Sequence, residues 1–252
     1  MKQTAFGKKP GIAKLCLLFI LLPLLGSCVF LNFSGINTIR GQGELESFSY
    51  PLGSFNRVRV DGFIAIHYHP GASGPVILEI QANLEEYVSV QVVDNELVVT
   101  MNRNIQGGST LRPRLHISSP SLEAIHLNGA WEFTAHDPLR TGALSLTLNG
   151  VGAGTMELEV QTLHLNMGGV SNLVLQGRTD TMELSISGVS NLEARDLVAR
   201  EGDVHLGGVG SAAIHVAETL RLNARGTGSI EYRGSPQLDL NTSGTMNIRR
   251  IP

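Results

Sequence analysis

"LHLNMGGVSNLVLQGRTDTMELSISGVSNLEARDL", residues 163–197, contains the pentapeptide GVSNL twice, 19 residues apart. The same glycine-led phrase returns, with substitutions, throughout the second half of the chain. One glycine per unit gives Gly129, Gly150, Gly169, Gly188, Gly208, Gly226 and Gly244, at intervals of 21, 19, 19, 20, 18 and 18 residues. Stacking the units on these glycines produces columns. Four residues before each glycine stand Ile125, Leu146, Leu165, Leu184, Val204, Leu222 and Leu240. Two before it stand Leu127, Leu148, Met167, Ile186, Leu206, Ala224 and Thr242. Polar residues from His126 to Asn241 fill the column between them. Apolar and polar positions alternating with period two describe a strand with one buried face.

A strand recurring at this interval belongs to a meander or to a solenoid. Hairpins reverse direction and call for two-residue turns. Here one phrase returns in the same direction, which favours coils pairing in parallel about 4.8 Å apart. The predicted fold class is all-β. Residues 119–252 form a parallel β-helix or β-solenoid of about seven coils, preceded by an N-terminal β-strand region over 47–118. In that region "FNRVRVDGFIAIHYHPG" alternates Val58, Val60, Ile64 and Ile66 around Gly62, fits the same template, and predicts an early coil that caps or seeds the stack. Asp94-Asn95, between two apolar runs, predicts a hairpin, and "NLEEYV" a short helical turn.

The first 28 residues read differently. Lys2, Lys8, Lys9 and Lys14 make a positive start, and Leu15 to Leu25 is an apolar run too short to span a bilayer. It ends in Leu25-Gly26-Ser27-Cys28, which resembles the lipobox of bacterial lipoproteins. That resemblance implies a signal peptide over 1–27, a lipidated (palmitate-bearing) Cys28 as mature N-terminus, and a tether over 28–46. Val29 in place of Asp favours sorting to the outer membrane in a two-membrane cell. The expectation is an exported protein held in the cell envelope by its lipid. Without the signal, 15 Arg face 22 Asp plus Glu, a net charge of −7. Such a surface argues against nucleic acid as a partner. No cysteine pair remains for a disulfide.

"LTLNGVGAGTMEL", "LSISGVSNLEARDL", "VHLGGVGSAAIHV" and "LNARGTGSIEYRG" resemble the repeats of the putative auto-transporter adhesin, head GIN domain family. "FNRVRVDGFIAIHYHPG" resembles that family's usual start and "NELVVTM" its mid-domain strand, so the likeness spans roughly 47–250. It implies an all-β fold of right-handed β-helical character and a role in adhesion to a ligand not established. No C-terminal segment resembles a translocator barrel, so self-export is not expected.

The glycine phrase is no dinucleotide fingerprint, because strand rather than helix follows it. It is no P-loop, because no lysine follows the signal segment. A structural corner explains it better: glycine permits a positive φ or a close approach of neighbouring coils. Asn172 and Asn191 could bond up the stack. Directly after the glycine stand Val151, Val170, Val189 and Val209. Strict alternation would set them outward as an interaction ridge, whereas a left-handed glycine would turn them into the core. The core reading is preferred.

His67 and His69, at i and i+2, suit two metal ligands, but no Cys, Asp or Glu stands nearby as a third. They read as solvent-facing strand histidines, as do His126 and His205, four coils apart. No metal site or cofactor is expected. Glu183 and Asp203 fall on adjacent coils about 5 Å apart, a spacing usable by a retaining glycosidase. A glycan-active hydrolase is therefore the alternative. It would need a shielding groove and aromatic platforms, and Trp131 is the only tryptophan. A mixed-charge exposed ladder is the better reading. The expected function is a non-enzymatic, lipid-anchored envelope protein, binding or scaffolding an unknown protein or glycan. Open strand edges near Ile248 leave self-association available.

Overall fold

A computed structural model describes residues 39–102, 105 and 111–252. The signal peptide expected over 1–27 and the expected lipid attachment at Cys28 lie outside these residues. Six strands come first: β1 (Leu45–Tyr50), β2 (Arg57–Pro70), β3 (Val76–Gln81), β4 (Val88–Val93), β5 (Glu96–Met101) and β6 (Arg114–Ser119). One helical turn, α1 (Ala82–Glu85), follows β3 at the place expected for it. Next come β7 (Ala124–Ala135), β8 (Leu139–Leu148), β9 (Val151–Met167), β10 (Val170–Ile186) and β11 (Val189–Leu206). The stack finishes with β12 (Val209–Ala224), β13 (Thr227–Arg233), β14 (Gln237–Thr242) and β15 (Thr245–Arg250). All fifteen strands belong to one hydrogen-bonded sheet.

From β7 onward the pairings are parallel and advance by one repeat unit. Val170 lies between Val151 and Val189, and Leu184 between Leu165 and Val204. This is the solenoid that the glycine interval predicts. Residues of the two apolar columns, such as Leu165, Met167, Leu184 and Ile186, are buried throughout the stack. Each contributes roughly 1.5–3 kcal/mol by leaving water. The columns run out at Leu240 and Thr242, which are exposed on β14.

The early phrase around Gly62 forms a coil of its own, with Gly62 opposite Gly129 in the β2–β7 pairing. Beneath it, β5 pairs in parallel with Arg57–Asp61 and β6 with Ala65–Pro70. Two separate strands thus complete one further layer, and β3 then β1 extend it in antiparallel fashion. The β4–β5 hairpin turns at Asp94 and Asn95, both with positive φ (50° and 62°). A two-residue turn matched to the twist of its strands needs that conformation.

The glycine corner has one common physical cause. Gly150 has φ +85°, but Gly169 is not in the left-handed region. A Cβ on Gly150 would stand 2.0 Å from the Gly129 carbonyl oxygen, and one on Gly169 would stand 1.9 Å from that of Gly150. Close backbone approach, more than conformational freedom, imposes glycine here. The ladder continues straight through: Val170 N–H donates to Gly150 O at 2.7 Å, and Val189 N–H to Gly169 O at 2.9 Å.

Candidate functional site

That unbroken ladder decides where the next side chain points. Val151, Val170, Val189 and Val209 are 58%, 50%, 54% and 52% exposed. The expectation that they enter the core is therefore overturned. Parallel bonding across the corner preserves strand alternation, so the residue after the glycine faces outward and the one after that faces inward. The inward positions are Gly152, Ser171, Ser190, Gly210 and Gly228, and the same column continues below them to the buried Trp131 and Ile64. Ser171 and Ser190 are buried there with their Oγ atoms 3.3 Å apart.

The four valines are consecutive register partners, forming an aliphatic line roughly 14 Å long at the strand spacing. Ala130 and Phe63 continue the column below it, with the Arg112 guanidinium 4.9 Å over the Phe63 ring. Thr227 and Thr245 continue it above. Two residues along each strand runs a polar column, where Asn172 and Asn191 are partners and Ser211 donates to Asn191. The valines are thus an apolar stripe bordered by amides and hydroxyls.

The carboxylates sit on the other side of the corner. Glu183 and Asp203 are register partners, as the columns predict. An open groove of about 480 Å³ runs past them, also lined by Ser145, Thr147, His164 and His205. Both acids already have basic partners. Glu183 lies 2.8 Å from His164 Nδ1, and Asp203 accepts from Arg221 at 3.0 Å with His205 at 3.1 Å. Arg221 also reaches Asp239 at 3.5 Å, so the column forms a chain of ion pairs along the stack. A second such chain joins Arg140, Glu159 and Arg178. The hydrogen bond from Arg140 leads the effects that hold the Glu159 carboxyl below its ordinary range. Trp131, the one tryptophan, is no sugar platform: it is buried, with its indole N–H donating to Asn149 O at 2.8 Å. The Glu183 side chain is 64% exposed, whereas a general acid is raised in pKa by an apolar shield.

His67 and His69 do lie on the outer side of β2, but His116 of β6 and His136 after β7 stand beside them. Those neighbours were missed because they are far away in sequence. The signal was nonetheless present: His69 is seven residues after Gly62 and His136 seven after Gly129. Carrying the columns that far would have paired them. Among the described residues no helix is long and apolar enough to cross a membrane.

The family model for "Putative auto-transporter adhesin, head GIN domain" matches residues 54–236. No curated protein is significantly similar. A crystal structure of a putative adhesin from Bacteroides fragilis NCTC 9343 has a TM-score of 0.79 at 26% identity, covering 84% of this chain and 100% of that one. A putative adhesin from Parabacteroides distasonis ATCC 8503 reaches 0.63 at 19% identity, covering 85% of this chain and 100% of its own. A putative lipid binding protein from the same strain reaches 0.58 at 16% identity, with 85% and 100% covered, and shares the fold. Repeat, solenoid and family model agree, and the chain belongs to the putative auto-transporter adhesin, head GIN domain family.

Proposed function

We propose that this chain is a non-enzymatic, lipid-anchored envelope protein whose valine-bearing face binds a protein partner. The observation that carries the reading is the line of four half-exposed valines that are register partners on consecutive coils. Ordered aliphatic stripes rimmed by polar groups mark association surfaces on soluble folds. Membership of an adhesin family points in the same direction, to the cell surface or envelope. A saccharide would find along this line only the half-buried Phe63 ring, already covered by the Arg112 guanidinium, so a protein surface is the better complement. The paired acids at 183 and 203 act as part of an ion-pair column rather than as acid and nucleophile.

A photoreactive amino acid placed at Val170 or Val189 on intact cells is expected to give a discrete protein adduct. The same probe at Ser185, on the carboxylate-bearing side, is expected to give several-fold less. With the probe at Val170, Val151→Glu and Val189→Glu on the two flanking coils should abolish the adduct while changing unfolding free energy by less than about 0.5 kcal/mol per site, as at other exposed positions. Equal labelling from both sides, or labelling untouched by the two glutamates, would remove the basis for the reading. The anchor is tested separately: Cys28→Ser is expected to lose both membrane partitioning and label from a lipid precursor. Retention of both would assign the anchor elsewhere.

A further inference from the structure

Outside the valine face and the ion-pair columns, one cluster is chemically distinctive. Three parallel segments bring four imidazoles together at the base of the stack. His67 is the register partner of His116 across β2 and β6. On the other side of β2, His136 N–H donates to Tyr68 O at 3.0 Å, which places His136 beside His69. The ring centroids of His67 are 5.0 Å from those of His116 and 5.3 Å from those of His136. His69 and His136 stack at 4.3 Å with planes 2° apart. His67 Nδ1 and His136 Nε2 share a hydrogen bond of 3.1 Å, one ring donating to the other, and a metal ion would take the place of the shared proton.

That last distance carries the inference. Zinc–imidazole bonds of 2.0–2.1 Å, opened by 90° to 109°, hold two ligand nitrogens about 2.9–3.4 Å apart. We propose that His67, His69, His116 and His136 bind one divalent transition-metal ion of the zinc, copper or nickel class, with His67 Nδ1 and His136 Nε2 as the first donor pair. As the rings stand, no three donors converge on one point, because stacked rings send their in-plane lone pairs past one another. Completing the site takes rotation of His69 or His116 about its side-chain torsions, which the exposed position of His69 leaves free.

One further observation favours a metal. His116 Nε2 is shielded from solvent without a hydrogen-bond partner and lies 3.7 Å from Glu79 Oε2. A carboxylate facing the far nitrogen is the usual outer support of a metal-bound histidine, and it leaves Nδ1 as the ligand. The surrounding charges are balanced. Arg114 pairs with Glu79 at 3.1 Å and Arg112 with Glu132 at 2.9 Å, while Asp137 acts on His69.

Calorimetric titration of the full-length protein with Zn²⁺ is expected to show one saturable site, and Mg²⁺ none, since imidazole suits the former class of ion. His67→Ala and His136→Ala should each weaken Zn²⁺ binding at least roughly tenfold, the scale of disrupting even an outer-shell partner. His164→Ala and His205→Ala, outside the cluster, should leave it unchanged. In the unmodified protein, Zn²⁺ should shift the imidazole NMR signals of the four cluster residues before any others, a readout independent of variant folding. Absence of a saturable site would overturn the proposal. So would binding that survives in the His67→Ala/His136→Ala double variant, or NMR shifts that begin at other histidines.

Discussion

Gly169→Ala is expected to lower the unfolding free energy by about 4 kcal/mol or more, a loss reserved for mutations with a specific structural cause. The cause is backbone against backbone. The added Cβ would meet the Gly150 carbonyl oxygen at 1.9 Å and the Gly150 nitrogen at 2.6 Å. No rotamer can relieve that contact, so the two coils must separate along the ladder that joins Val170 to Gly150. Gly188 packs against Gly169 just as closely, since a Cβ there would also stand 1.9 Å from the Gly169 oxygen, so a displacement travels upward through the column. In a fold where each coil touches only its neighbours, a break in the middle uncouples two halves. Gly142→Ala is the control, since its nearest neighbour would be Gln161 Oε1 at 4.0 Å. It should stay within about 0.5 kcal/mol of the parent. Gly244→Ala, on the exposed last coil, should cost less than Gly169→Ala, because that coil can fray without releasing the rest. Chemical denaturation monitored by circular dichroism checks all three, and parity between Gly169→Ala and Gly142→Ala would refute the close-approach account.

The same geometry explains which parts of the fold could be read from the sequence. Each coil stamps its inward positions with the same residue types, so Leu165, Leu184 and Val204 announce their alignment before any coordinate is known. The Asp94-Asn95 turn was legible for an equally local reason, because few residues tolerate positive φ. The layer beneath β2 was not legible. It is assembled from β5 and β6, which belong to different stretches and carry no corner glycine phrase.

The candidate sites divide along the same line. Glu183 and Asp203 were placed correctly, because a register is a counting problem once the period is known. Their links to His164 and Arg221 follow from the same column, one coil away on either side. The direction of the valines was misread because it depends on whether hydrogen bonding survives the corner, which composition does not encode. Gly150 and Gly169 differ in φ, yet Val151 and Val170 both face outward. The histidine cluster escaped notice because His116 and His136 are brought to His67 and His69 by pairing across three and four intervening strands respectively.

Trp131→Ala is expected to cost about 3–5 kcal/mol, the range for removing a buried tryptophan or phenylalanine. At roughly 2–4 °C per kcal/mol for a chain of this size, the Tm should fall by about 6–20 °C. The side chain is 2% exposed and its indole N–H bonds to Asn149 O, so the variant also leaves that carbonyl without its indole donor. The environment makes a sharper claim possible. Trp131 is the register partner of Gly152, and a Cβ on Gly152 would stand 2.2 Å from indole Cδ2. The glycine is there because the tryptophan fills the space its side chain would need. Gly152→Ala alone should therefore destabilise the protein, since the indole is wedged between coils and cannot swing clear. In the Trp131→Ala background the same substitution should become neutral or stabilising, because the alanine enters the vacated volume and no left-handed φ forbids it. The sign must reverse, giving a coupling of about 1–3 kcal/mol in a double-mutant cycle. Additive losses would mean that Gly152 is required for some reason other than the ring on the coil below it.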